Sequence, residues 1–312
     1  MSKYKIPEEY YFRIHHCRPR FKGNVENVLI YMATEITRIG DCPRDEFNYS
    51  LNNAIRCFPG NSTLVIKTIN NWRTEISSLF GLFYEDEEHF NHAMLRAKEL
   101  AEHNDLVRFF KLFLYYFQYP GAHIKSKDVL EQIEAGVHFK PAQYLLKLLK
   151  TAEEETGKRC GITKDEACYC VFNDLRCTRD NEDVRVTWKR IQDNRDKEIE
   201  YISDGDITRY AGDILDYMQH ANLLVSYNNK EFFINHNENE AILKYVNSTE
   251  WFSGYDEMIE GRTGTIADVK SCRCDWFVYV NRDVADTDFA TDITSFFEVP
   301  ETSTDAGVTI NM

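Results

Sequence analysis

Apolar residues recur at helical spacing through most of this 312-residue chain. Val25, Val28, Leu29, Met32, Ile36 and Ile39 predict a first helix. Phe47, Leu51, Ala54, Ile55 and Phe58 predict a second, after the break at Asp41-Cys42-Pro43. Pro59-Gly60-Asn61-Ser62 separates the second from a third, with Ser62 as the expected N-cap. Along that third helix, from Thr68 toward Phe83, steps of about 100° per residue place Ile69, Trp72, Ile76, Leu79, Phe80 and Phe83 on one stripe, which must be buried. Lys67, Asn70, Asn71, Thr74, Ser77, Ser78 and Gly81 fall on the opposite face.

Further along, Leu106, Phe109, Phe110, Phe113, Leu114 and Phe117 mark a helix that Gln118-Tyr119-Pro120-Gly121 ends. This aromatic stripe reads as core and not as a base-stacking platform, because basic residues do not interleave it well. Thr163-Lys164-Asp165-Glu166 is a capping sequence. A charged helix is expected over about 180 to 201, and Ile207, Tyr210, Ala211, Ile214, Leu215 and Met218 predict another. Leu223–Tyr227 and Glu231–Ile234 flank Asn228-Asn229-Lys230 as a hairpin. The last helix of this second group is expected to expose Asp213 and Asp216. From residue 247 the pattern weakens. After Arg282 come seven carboxylates and no Lys or Arg, which reads as a linker or a frayed end.

Three helices followed by a hairpin is the winged-helix order, and it fits the second group well. The first group, over residues 1 to about 90, suggests a winged-helix or helix-turn-helix unit. Its third helix carries a face of amides and small residues, nearly free of charge, that suits a DNA major groove. A net charge of −14 argues against nucleic acid at first sight. Residues 1–24, however, hold Lys3, Lys5, Arg13, Arg18, Arg20 and Lys22 against Glu8 and Glu9, so they carry +4 and the remainder −18. Screening over about 8 Å lets a phosphate backbone sense the near patch and little of the rest. The run Glu85-Asp86-Glu87-Glu88 is expected to point away from phosphate.

No run of apolar residues reaches the roughly 18 needed to span a bilayer, and the N-terminus lacks a signal-peptide core. Nine cysteines without a regular framework predict free thiols in a reducing cytoplasm. Cys160, Cys168, Cys170 and Cys177 cluster with spacing C-x7-C-x-C-x6-C, which lacks the close pair of a zinc knuckle. Asp268-Val269-Lys270, with Asp256 or Glu260 upstream, vaguely matches a metal-nuclease pattern. It sits beside a Gly-Arg-Thr-Gly-Thr loop, and such tripeptides are common in acidic chains.

Several stretches together carry a family resemblance. Pro7-Glu8-Glu9, Phe12-Arg13, the basic Arg18, Arg20 and Lys22, Asn71 with Arg73-Thr74-Glu75-Ile76, and Phe80 through Asp86 resemble the N-terminal DNA-recognition region of BpuJI-type type IIS restriction endonucleases. Phe117-Gln118-Tyr119-Pro120 and Lys164 through Leu175 extend the resemblance over residues 4 to 180, and more loosely to 240. It implies a mainly α fold with short β-hairpin wings, in which two winged-helix subdomains are joined by a helical linker subdomain. The corresponding divisions are residues 1–95, 96–160 and 161–245, with 246–312 as an extension or linker toward a nuclease domain.

The resemblance further implies that a monomeric module reads a short asymmetric site in the major groove of double-stranded DNA. Recognition itself would need no cofactor, and Mg²⁺ would serve only a separate C-terminal nuclease domain. The candidate DNA-binding residues are Arg13, His15, Arg18, Arg20 and Lys22 on the arm and Lys67, Asn70, Asn71, Arg73 and Thr74 on the third helix. No catalytic residue is assigned. At Asn70, Trp72, His15 and His16 the sequence departs from the family pattern, so base preference does not carry over. Two rival readings are a complete metal-dependent nuclease near Asp268 and Lys270 and a winged-helix transcription regulator.

Overall fold

The computed structural model describes residues 3–14, 25–202, 205–227 and 230–282. A short strand, β1 (Lys3–Tyr4), opens the chain. The three helices expected next are α1 (Val25–Ile39), α2 (Arg44–Cys57) and α3 (Ile66–Thr74), with strand β2 (Cys42–Pro43) ahead of α2. Without a break, α3 runs into a π-helical turn, Glu75–Leu79. A hairpin of β3 (Phe83–Glu85) and β4 (Phe90–Ala93) then forms an antiparallel sheet in the order β2-β4-β3. The predicted apolar stripe from Ile69 to Phe83 is buried throughout.

Two expectations about this region are corrected. Ser62 does not cap α3, which starts after Val65 with no side-chain cap. Buried Asn61 organises the approach instead, donating Nδ2 to the Ile55 carbonyl at 3.0 Å while successive turns fill the residues up to Leu64. Ser77, Ser78 and Gly81 do not lie on an open face but are buried. The cause is the π turn, whose wider i→i+5 bonding rotates these residues away from the α-helical wheel. Ser77 Oγ then donates to the Phe83 carbonyl at 2.8 Å, fastening the turn to β3.

The middle of the chain is helical: α4 (Leu95–His103), α5 (Leu106–Tyr116), α6 (Ser126–Glu134) and α7 (Pro141–Thr156). As expected of core, Phe109, Phe110, Phe113, Leu114 and Phe117 are buried. A second helix-and-hairpin group follows. It comprises β5 (Gly161–Thr163), α8 (Lys164–Ala167) with a π turn at Cys168–Phe172, α9 (Leu175–Thr178), α10 (Val184–Asp196), β6 (Glu200–Tyr201) and α11 (Gly205–His220). Its sheet has the order β5-β8-β7, where β7 is Leu224–Ser226 and β8 is Glu231–Ile234.

Thr163 and Glu166 form the predicted capping box, and Arg195 clasps the buried Glu166 carboxylate at 2.6 and 2.7 Å. The hairpin residues Asn228 and Asn229 lie outside the described residues. Asp213 is not exposed as expected but only 7 % accessible, because α11 packs against α5 and α8 and turns that face inward. Asp216 is half-exposed and ion-paired with Lys164 at 2.9 Å.

Residues 247–282, where the sequence pattern weakens, are folded, and the acidic stretch after Arg282 lies outside the described residues. After α12 (Asn239–Val246), the helices α13 (Asp256–Gly261), α14 (Ile266–Ser271) and α15 (Arg273–Val280) pack on α6, α5 and β3, burying Val269, Trp276, Phe277 and Tyr279. Polar side chains of the middle helices and the segments flanking them lead the chain there. Gln143 donates to the Ser248 carbonyl and Lys140 to that of Glu250, and the buried Gln118 amide bonds both the N–H and the C=O of Phe252. The start of the chain is held in the same way. β1 pairs in parallel with β6, while Phe12 and Ile14 both donate their N–H groups to Asn173.

Phe80 lies where these parts meet. Its ring is fully buried among Phe109, Phe110, Phe113 and Tyr217, at centroid distances of 5.5 to 6.5 Å. Phe80→Ala should therefore lower the unfolding free energy by about 3–5 kcal/mol in a denaturant titration, the usual cost of emptying a large aromatic site. A loss below about 1 kcal/mol would show that the joint does not depend on this ring.

Candidate functional site

A cleft of about 660 Å³ runs along the polar side of α3. Asn70, Arg73 and Thr74 form one wall, Arg44 and Asn48 of α2 extend it, and the β3–β4 hairpin with Glu85, Asp86 and Glu87 stands opposite. Lys270 and Arg273, from the C-terminal helices, complete the lining. Asn70 and Thr74 are exposed, and Asn71 and Arg73 are half-buried. Exposed Lys67 lies in the first turn of the same helix.

The α3 face is ordered before any partner arrives. Arg73 Nη2 donates to Asn70 Oδ1 at 2.7 Å, so the two side chains are set as a pair. The Thr74 hydroxyl donates back to the Asn70 carbonyl at 3.0 Å, leaving its oxygen as an acceptor. Arg73 Nε is buried and has no hydrogen-bond partner among the described residues. Burial first, and the nearby Arg44 second, pull the Arg73 guanidinium below its ordinary pKa against the opposing pull of Glu85. An acceptor entering the cleft would relieve an orphaned donor and stabilise a cation held among poor company.

The acidic run lines this same cleft, because β3 follows closely on the π turn and carries Glu85 to Glu87 there. Part of its charge is tied up locally. Glu85 bonds Arg44 at 3.2 Å and His89 at 2.7 Å. Asp86 accepts the N–H groups of Glu88 and Phe90, closing the hairpin, and bonds His92 Nε2 at 2.9 Å. His92 also reaches Asp41 at 3.4 Å and stacks on Tyr84.

Of the other candidates, Arg13 is exposed between Phe12 and Ile14, on the segment bonded to Asn173, and is not part of the cleft lining. His15, Arg18, Arg20 and Lys22 lie outside the described residues. Arg44, Asn48 and Arg273 carry no signal in the sequence, which points to Lys270 only through the nuclease-like tripeptide. The helical spacing of Val269, Trp276, Phe277 and Val280 was the available signal that residues 266–280 fold.

The nuclease-like tripeptide has other employment. The Asp268 carboxylate accepts from the Thr265 N–H and hydroxyl at 2.8 and 2.7 Å as a helix cap, and Asp256 accepts from the Trp251 indole at 2.8 Å. Among the described residues, no group of three or more His, Cys, Asp or Glu side chains converges as a metal site. Cys168, Cys170 and Cys177 are buried free thiols.

The hairpin carries a pH dependence. Hydrogen bonding to Asp86 raises the His92 pKa, against its burial. Its stabilising effect is fully present below the unfolded value of about 6.5 and is lost as pH rises through the higher folded value. The wild-type unfolding free energy should fall relative to His92→Gln as pH rises above about 6.5 in parallel denaturant titrations. Parallel curves for the two proteins across that range would refute the coupling.

The residues 4–277 match the family described as "Restriction endonuclease BpuJI - N terminal". No curated protein sequence matches. Among solved structures, the BpuJ1 endonuclease binding domain in complex with pyrene- and phenanthrene-modified DNA has a similar fold, with a TM-score of 0.77 and 25% identity. The match covers 89% of this chain and 100% of that one. With nearly nine-tenths of its length in the matched region, the chain belongs to the family of BpuJI restriction endonuclease N-terminal domains.

Proposed function

We propose that this chain is the sequence-specific, double-stranded DNA recognition part of a type IIS-like restriction endonuclease. The α3 cleft carries the reading. It offers an ordered Asn70–Arg73 pair and an unsatisfied Arg73 donor on a chain whose family is a recognition domain and whose solved relative holds DNA. Asparagine pairs well with adenine edges and arginine with guanine edges.

Two winged-helix units at residues 1–95 and 161–245, joined through 96–160, are the architecture we favour. Its support is that in each group an early strand, β2 or β5, joins the closing hairpin, giving sheet orders β2-β4-β3 and β5-β8-β7. In this reading α3 enters the major groove with Lys67, Asn70, Asn71, Arg73 and Thr74. The segment with Arg13, His15, Arg18, Arg20 and Lys22 adds phosphate and base contacts. Recognition needs no metal, and Mg²⁺ serves a nuclease domain elsewhere. The module acts as a monomer in the cytoplasm, a reducing compartment that suits its free thiols.

Selection from a pool of randomised duplexes should enrich one short motif. Asn70→Ala or Asn71→Ala should reduce discrimination against the wrong base by about 1–3 kcal/mol at one position. Arg18→Ala or Arg20→Ala should weaken binding. Equal affinity for all duplexes would sink the recognition reading.

Incubated with Mg²⁺, the chain should hold the selected duplex uncut. Cleavage abolished by Asp268→Ala would instead identify a complete nuclease.

A further inference from the structure

The cleft's charge depends on a part of the chain remote from α3. Arg44 and Arg73 face the carboxylates of Glu85, Asp86 and Glu87, so the first unit by itself presents a cleft with a net negative formal charge, His taken as neutral. Lys270 at the end of α14 and Arg273 at the start of α15 add two cations and reverse the sign. A phosphate backbone brought against α3 meets an attractive cleft only with these two residues present.

The placement of Arg273 is fixed, and Lys270 follows from the packing of α14 on α6. Arg273 Nη2 donates to Ser78 Oγ at 3.1 Å in the π turn, and its guanidinium lies 5.7 Å from the Phe277 ring centroid. Asn281 Nδ2 donates to the Gly81 carbonyl at 3.1 Å. Buried Arg96 bridges the C-terminal helix and the recognition turn, donating to the carbonyls of Val280 and Phe80. Such anchoring holds α15 in one register beside the groove-facing helix, so Arg273 needs little ordering on binding.

Building on the proposed DNA reading, we infer that Lys270 and Arg273 form a phosphate clamp on the C-terminal side of the recognition cleft, positioning the duplex without reading its bases. They are exposed and lie beyond the α3 side chains that bear amides. Cationic side chains of this kind contribute sequence-independent affinity, with each neutralised phosphate adding about −0.9 to the slope of log K against log salt.

The test uses the full chain, its selected duplex and a scrambled duplex, with affinity measured across a salt series. In Lys270→Ala/Arg273→Ala the salt slope should fall by about 1 to 2 and affinity at moderate salt on the order of ten-fold, for both duplexes alike. The charge-keeping variant Lys270→Arg/Arg273→Lys should retain the wild-type slope, which separates loss of charge from loss of packing. An unchanged slope in the double alanine variant overturns the clamp. So does loss of preference for the selected duplex with the slope intact, which would make these residues base readers. Failure of the wild-type chain to bind any duplex would instead overturn the DNA reading on which the clamp rests.

Discussion

The joint at Phe80 and Gly81 holds the arrangement together. The Phe80 ring sits among aromatic residues of α5 and α11, its carbonyl accepts from the buried Arg96, and the Gly81 carbonyl accepts from Asn281. Gly81 has φ +64°, which lets the chain leave the π turn and enter β3 at once. A side chain there would meet that backbone strain, and its Cβ would lie 3.1 Å from the Asn281 amide. One residue pair therefore sets where the π turn ends, where the hairpin begins and where α15 docks. Arg96 is a buried cation whose pKa burial lowers to about 10, so it stays charged near neutral pH and the carbonyls it bonds compensate its desolvation.

Electrostatics in the cleft follow from this geometry and not from the net charge. A hairpin with Glu85, Asp86 and Glu87 toward its tip must lie beside α3, because only Phe80, Gly81 and Leu82 separate the π turn from β3. The protein meets that constraint with local partners: Arg44 and His89 for Glu85, His92 and backbone N–H groups for Asp86. What remains is a mixed field whose sign is decided by side chains from three separate elements. At short screening lengths such local balance matters more to a phosphate backbone than the −14 carried by the whole chain.

The segments at residues 3–14, which include a 3-10 turn at Glu8–Tyr10, and 247–252 illustrate how polar side chains organise chain that lacks an apolar pattern. Asn173, Gln118, Lys140 and Gln143 satisfy backbone groups in these stretches across more than a hundred residues of sequence. Buried backbone groups need such partners, so these side chains dictate the route of the chain as strictly as apolar packing does. They also place Arg13 on the second helix-and-hairpin group, away from the cleft lining.

Periodicity alone determined α1, α2, α3, α5 and the Leu224–Ile234 hairpin, because an apolar stripe must be buried whatever it packs against. Thr163 and Glu166 similarly announced their capping box, a contact between neighbours in sequence. The amide-bearing face of α3 at Asn70, Asn71 and Thr74 was legible for the same local reason. Tertiary structure decided the rest. The π turn rotated Ser77 and Ser78 inward, α11 packing buried Asp213, and α14 and α15 brought Lys270 and Arg273 to a cleft nearly two hundred residues away in sequence. A helix wheel reports which residues share a face, but the neighbour that covers that face, and the charge it brings, is fixed only when distant segments pack.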